Sequence, residues 1–396
     1  MQSRLLFIIS IYCSLHFFGL YHRLGGRTTF ILIDAIGFAL ILLILIAGRN
    51  KINKANQRFY TPLIILFFFL FLSAVSCLWF HSQSMIATFI SMRYWGFLAL
   101  YFVYHKLNLE KKWLEKFIIY SCLIYIGIFY LQFILFPFDI VPLGRIDSFD
   151  RGLLRIRIEG AGFLMLAGFL SLNRFLVYGK KRRLLFYFIC LVTLFMLGFR
   201  TFLATSIITS IYLIIRVSNN SVLLLRNIAI TFIIGYMVYS VPTVNEFIED
   251  MFVRTSSQIE QEENYIRIQT FYFFSEQVNV NEFSLIFGNG FPQEDSSYGK
   301  FVYNRGVQDQ GFIFADIGLI GFTFIYGLLS LFLFLYLFIK GIFIKTNRQD
   351  VYLSAYLLYL IISSITTVEI YRTGMFGIEA LVFYLIDKST YKRSIK

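Results

Sequence analysis

Arginine is the residue this chain uses out of place. Arg93, Arg145, Arg151, Arg155, Arg157, Arg200, Arg254, Arg267, Arg305 and Arg372 lie in or beside apolar stretches, away from the lysine-rich loops. Arg23, Arg27 and a single lysine, Lys300, complete that set. A guanidinium is a planar fork of donors that meets phosphate or carboxylate oxygens two at a time, which an ammonium does not do. Arginines gathered near one surface of an apolar protein are suited to holding an anion there, and a phosphate or diphosphate carried on a lipid is the natural candidate. Proton transfer needs a carboxylate or an imidazole as well. Glu159 and Asp309 are the carboxylates placed for it. The histidines are His16, His22, His81 and His105, none of them in a long polar loop, which excludes a histidine base within those loops. There is no Walker A loop, no dinucleotide fingerprint and no metal-ligand spacing. The expectation is chemistry by arginine and carboxylate, with no metal and no cofactor.

The elements that must position these side chains are apolar helices. Of 396 residues 58% are hydrophobic and 15% charged, against about 25% charged in a soluble domain. Mean hydropathy is +0.70. Phe (48) and Tyr (26) are abundant and Pro (5) is scarce, as suits long helices with aromatic residues at the interfaces. The composition is that of an all-α, polytopic integral membrane protein. A net charge of +13 is accounted for by loops on one side of the membrane, so no nucleic-acid partner is needed; membrane lipids are the expected surroundings. Cys13, Cys77, Cys122 and Cys190 lie inside apolar runs without paired spacing, which argues against disulfides and zinc. The first apolar run lacks a small-residue cleavage site and reads as a span rather than a leader.

About 20 apolar residues cross a bilayer core as a helix. Twelve runs meet that ruler: 5–21, 29–48, 61–80, 84–105, 117–137, 159–178, 184–199, 201–215, 225–241, 311–339, 351–368 and 374–387. With both termini inside, most lysines fall on the cytoplasmic side, as the positive-inside rule requires, and the arginine-rich set falls outside. The chain reads as one transmembrane domain, 1–396, with two large outer loops at 138–158 and 242–310. In the second, Phe247, Ile248, Met251 and Phe252 recur at helical spacing, which predicts short amphipathic helices on the membrane surface.

Each arginine has a plainer account beside the functional one. Arg145, Arg151, Arg155 and Arg157 share a loop with Asp139, Asp147 and Asp150, where local ion pairs are cheap. Against that, Arg155 and Arg157 abut a span opening with Glu159, Gly160 and Gly162, whose glycines admit a close neighbour or ligand. Arg200, in FMLGFRTFLATS, sits at the outer turn of a helical hairpin. A charge at that depth faces a partner or a cavity, or snorkels to the headgroups. Arg93, in SMRYWGF, is mid-span and either meets an anion or forms a structural pair with an Asp or Glu of another span. Arg372, in VEIYRTG with Glu369, is an anion ligand or an interfacial anchor. Arg254, Arg267 and Arg305 belong to the acidic second loop, much of which is plain solvated helix face; Arg267, set among apolar residues in NYIRIQTFYFF, points at something specific. Phe287-Gly288-Asn289-Gly290-Phe291 reads as a turn.

Three segments occur in a telling order: GFRTFLATS, then YIRIQTFYFFSEQVNVNEFSLIFGNGF, then VQDQGFIFADIGLIGFTFIYGLL. Together they resemble the O-antigen polymerase and O-antigen ligase superfamily, that is, Wzy-type polysaccharide polymerases and their ligase relatives. The likeness is strongest over 193–339. It implies a glycosyltransferase at the outer face of the inner membrane, with undecaprenyl-diphosphate-linked oligosaccharides as donor and acceptor and a chain-length regulator protein as a further partner. Ligases of the superfamily tend to carry a His where this chain reads Val307-Gln308-Asp309, a departure that tilts toward the polymerase. The R-x10-G pattern of some family loops occurs once, as Arg151 to Gly162.

Residues and resemblance converge on one chemistry. Attack of a sugar hydroxyl on an anomeric carbon expels a diphosphate, so positioning and charge stabilisation are the main tasks. Arg200, Arg267, Arg155 and Arg157 are the first candidates to hold the diphosphate, then Arg305, Arg372, Arg151 and Arg93. Asp309 and Glu159 are the candidates to deprotonate the acceptor. A single displacement inverts the anomeric centre. The rival class is a flippase for lipid-linked oligosaccharide, which would place its charge along a central lumen and show two related halves. A third option is a non-catalytic scaffold.

Overall fold

The computed structural model describes residues 2–20, 22–47, 57–138, 140–141, 156, 158–198, 200–218 and 265–391, and the backbone alone at 22–27, 200 and 390–391. Among these residues every regular element is helical. In order they are α1 (Gln2–Ser14), α2 (His22–Ala47), α3 (Tyr60–His81), α4 (Met85–Met92), α5 (Leu100–Leu107), α6 (Lys111–Leu135), α7 (Gly162–Tyr178), α8 (Lys181–Met196) and α9 (Arg200–Val217). Short helices follow at Ile266–Tyr272, Glu282–Phe287 and Ser297–Lys300, and longer ones at Gly318–Tyr326, Leu328–Phe343, Val351–Ser364 and Phe376–Tyr391.

Among the described residues four helices are long and apolar enough to cross a membrane: Thr28–Ala47, Tyr60–His81, Met85–Leu107 and Lys111–Leu135. Their outward side chains are apolar, as with Phe68 (55% exposed), Trp79 (80%) and Ile86 (73%). Water would penalise such a surface and hydrocarbon does not. The interior is built on α7 and Val351–Ser364, which pack on each other and are buried along most of their length. Trp95 is wedged among Phe322, Tyr326, Phe334 and Phe376 with ring centroids 4.5–5.7 Å apart. The cysteines are free thiols, and the Cys122 and Cys190 sulfurs face each other at 3.8 Å between α6 and α8.

Two runs read as single spans are interrupted. The first, 5–21, stops as a helix at Ser14 and enters a left-handed stretch: His16, Phe17 and Phe18 have φ of 45°, 49° and 60° before Gly19 at 80°. Side chains rarely adopt that conformation, at a cost of about 1–2 kcal/mol per residue, so the surrounding contacts must hold it. The second, 311–339, is a short 3-10 turn (Phe314–Ile317) and then two helices divided at Gly327, where φ is 85° and ψ 159°. A third, 84–105, keeps its direction but tightens to 3-10 over Arg93–Ala99. The run at 201–215 is the eighteen-residue α9. The run at 225–241, the segment with Phe247 to Phe252 and nearly all of 138–158 lie outside the described residues.

The described part of the second loop is tied down by the G-x-G turn. Asn289 donates from its backbone and its side chain to the Phe324 carbonyl (3.0 and 2.9 Å), and the Gly290 N–H donates to Ile325 (2.9 Å). Gln83, at the α3–α4 junction, accepts from the Gln293 N–H (2.9 Å) and the Ser296 hydroxyl (2.7 Å) and donates to the Phe291 carbonyl (2.9 Å). The turn is therefore a clasp on the break at Gly327. Two wide π-helical turns, Phe273–Val278 and Phe301–Gln308, complete this region and meet through stacked Phe273 and Phe301.

Candidate functional site

A connected network of buried and half-buried charged residues lies at the break after α1. Both nitrogens of His16, which is fully buried, face carboxylates: Nδ1 meets Glu159 Oε2, and Nε2 lies 2.8 Å from Asp34 Oδ1. Asp34, on α2 and 2% exposed, accepts from Arg93 Nε through its other oxygen at 2.6 Å. Arg93 also donates to the Ile90 carbonyl and the Tyr94 hydroxyl, each at 2.7 Å, with its guanidinium 4.4 Å from the Tyr94 ring centroid. Phe30 stacks on His16 at 4.0 Å.

The local backbone explains why these groups meet. The left-handed stretch turns the His16 ring back toward α2, and the change from α-helix to 3-10 begins at Arg93 itself. An imidazole donates from both nitrogens only when it carries both protons. In that state His16 and Arg93 balance Asp34 and Glu159, which lowers the cost of placing four charges in a membrane protein. The two ends of the chain reach the surface: Glu159 is 21% exposed and Arg93 20%.

Arg372 belongs to the same end of the molecule. The turn that follows it lies against Glu159: a Cβ on Gly374 would stand 3.4 Å from the Glu159 Cβ and from the Gly160 nitrogen. Arg372 pairs with Glu369 at 3.5 Å. Glu369 is 3% exposed, and its burial raises its carboxyl pKa despite the opposing pull of Arg372. The Ser364 hydroxyl accepts from the Ile370 N–H at 2.7 Å and fixes the turn. In the next helix Glu379 is fully buried, and neither carboxylate oxygen has a partner among the described residues.

Arg267, Arg305 and Asp309 form a separate group on the Phe273–Phe301 stack. Arg267 is half-buried with its guanidinium 6.0 Å from the Tyr265 ring centroid; Arg305 is exposed and 6.0 Å from that of Phe301. Asp309 is exposed at the end of the second π-helical turn. Among the described residues no ion pair joins this group to Glu159. Tyr303 in that turn is pushed up to about 12, first by burial and then by Glu294. Arg200 opens α9, with its side chain outside the described residues, as are Arg151, Arg155 and Arg157 entirely.

The structure bears on the sequence reading in two places. Arg93 does have an acidic partner on another span, Asp34, so the structural pair anticipated as its plainer account exists. The exclusion of a histidine base applied to the outer loops alone; His16, outside them, meets Glu159 at the start of the following span. The signal was available: His16 and Asp34 are ionisable residues alone in two early apolar runs, and such residues seek partners. No family model matches the chain, and no curated protein matches it.

Proposed function

We propose that this protein is a polysaccharide polymerase: a membrane glycosyltransferase that joins undecaprenyl-diphosphate-linked repeat units at the outer face of the inner membrane. The proposal includes the twelve-span arrangement with both termini inside. The observation that carries it is the relay from partly exposed Glu159 through His16 and Asp34 to partly exposed Arg93, with the turn that follows Arg372 packed against Glu159. A carboxylate anchored at one end and open at the other is suited to take a proton. Guanidinium groups beside it are suited to receive a diphosphate.

In this reading the acceptor hydroxyl gives its proton to Glu159 as its oxygen bonds to the donor's anomeric carbon. The bond from that carbon to the lipid diphosphate breaks, and the diphosphate leaves with the bonding electrons. Arg372 and Arg93, with Arg200, Arg155 and Arg157 from the neighbouring segments, hold the charge that develops. His16 and Asp34 do not touch the sugar; they aim Glu159. The group of Arg267, Arg305 and Asp309 lies on the second loop, where it would meet the oligosaccharide.

A second reading is favoured by Glu379, a buried acid in the last helix. Carboxyls at that depth mark translocation paths, which suits a flippase. One experiment separates the alternatives: polymer length in a strain lacking the gene, complemented with the wild type or with Glu159→Gln. A single capped repeat in both the deletion and the variant supports the polymerase. Long lipid-linked polymer that is never attached supports the ligase instead. Absence of any outer-face repeat supports the flippase.

A further inference from the structure

A basic cavity lies at the opposite kind of place, beside the ends of α3 and Leu328–Phe343. It has a volume of about 570 Å³, and its walls include Arg58, Lys340 and Lys345 together with Tyr336, Ile339 and Phe343. No acidic side chain lines it among the described residues. The nearest carboxylate in the hydrogen-bond network, Asp387, is engaged by the Tyr101 hydroxyl (2.6 Å), by His105 (3.2 Å) and by the Arg58 backbone N–H (3.3 Å).

Lys340 is held rather than swinging in solvent. Its ammonium donates to the Arg58 carbonyl at 2.7 Å and stands 5.5 and 5.9 Å from the ring centroids of Tyr336 and Phe59. Three like charges around one space repel one another, and an anion between them relieves that repulsion.

The surface that leaves the cavity says which anion. Phe332 (65% exposed), Tyr336 (48%), Ile339 (45%) and Phe343 (78%) are spaced four, three and four residues apart. That spacing places them on one face of the helix. They form an apolar track about 16 Å long that ends at the three cations. A phosphate in the cavity and an acyl chain along the track is the shape of a membrane phospholipid.

We propose that this cavity binds the phosphate headgroup of an anionic phospholipid, whose acyl chain lies along the Phe332–Phe343 track. The site is independent of the sugar chemistry proposed above. Basic pockets between helices at a membrane's edge take such headgroups, each cation contributing about fivefold in affinity.

The test uses the full chain reconstituted in nanodiscs with phosphatidylglycerol or phosphatidylcholine, and native mass spectrometry of lipids retained after release. Wild type retains phosphatidylglycerol in preference to phosphatidylcholine. Arg58→Gln and Lys345→Gln each weaken that retention about fivefold, and Phe343→Gln weakens it for both lipids. Arg58 and Lys345 are exposed, so their loss leaves the fold intact; an unchanged helical circular-dichroism spectrum verifies this, and Lys345→Gln alone suffices if Arg58→Gln fails it. Equal retention of the two lipids, or retention indifferent to the cations, overturns the proposal. Displacement of the lipid by millimolar inorganic phosphate also overturns it, because the site would then be one for soluble phosphate.

Discussion

Gly288 and Gly327 occupy each other's side-chain space. A Cβ on Gly288 would lie 2.7 Å from the Gly327 nitrogen, and a Cβ on Gly327 would lie 2.6 Å from the Gly288 nitrogen. Both have φ in the left-handed region, 94° and 85°. The contact is backbone on backbone, so no side chain can move aside.

Gly288→Ala and Gly327→Ala should therefore each lower stability by about 2–4 kcal/mol, combining steric conflict with backbone strain. The pair should lose less than the sum, because the first substitution already opens the clasp. Thermal unfolding of the detergent-solubilised variants measures both effects. Full additivity would mean that the two glycines do not act as one joint.

His16→Gln and Asp34→Asn should reduce turnover about 10²–10⁴-fold, as loss of a positioned general base does, with little change in KM for the lipid-linked donor. His16→Gln combined with Glu159→Gln should cost no more than Glu159→Gln alone, because both act through one carboxylate; Asp34→Asn should add a further loss, because Asp34 also holds Arg93. Kinetics with purified lipid-linked repeat units give the answer. Additive losses would sink the idea that His16 works by aiming Glu159.

Arg93→Lys keeps the charge and loses the fork that reaches Asp34, Ile90 and Tyr94 together. The expected result is activity near that of Arg93→Ala, since the two cations are not interchangeable at such a site. Polymer-length gels compare the two; a fully active Arg93→Lys would leave the guanidinium without a special role.

Glu369 sets a pH dependence. Burial raises its carboxyl pKa above the ordinary 4.5, so the folded protein holds that proton to higher pH than the unfolded chain does. The stability linked to it is fully present below that ordinary value and is lost as pH rises through the raised one. Glu369→Gln, which stays neutral, should remove that decline. Unfolding midpoints of both proteins between about pH 4 and pH 7 decide it, and parallel curves would rule Glu369 out as the source.

The straight helices were legible because composition alone sets them. The runs at 29–48, 61–80 and 117–137 correspond to α2, α3 and α6, whose ends differ by one to seven residues. The breaks were not legible. Nothing about His16, Phe17 or Phe18 marks a left-handed backbone; tertiary bonds to Asp34 and Glu159 impose it. Gly327 did carry a local signal, but its partner Gly288 lies 39 residues earlier, and only the fold brings them together. For the site, Arg93, Arg372 and Glu159 were legible as charges in costly places. The links around them were not, because nothing in the sequence ties His16 to Glu159 or Asp34.

The left-handed turn after Ser14 has a consequence for the membrane itself. Thirteen residues of α1 rise about 20 Å, whereas a bilayer core is about 30 Å thick. In the proposed orientation, helix α1 runs out well before the outer headgroups, and the polar corner at His16 sits below their plane. Glu159 and Arg93 are 21% and 20% exposed there, and a bilayer that thins locally lowers the cost of meeting them. The dimple brings the headgroup layer down to Glu159 and Arg93. Under the proposed function, a diphosphate anchored on a long polyprenyl chain would then reach these groups by lateral diffusion, without being lifted out of its leaflet.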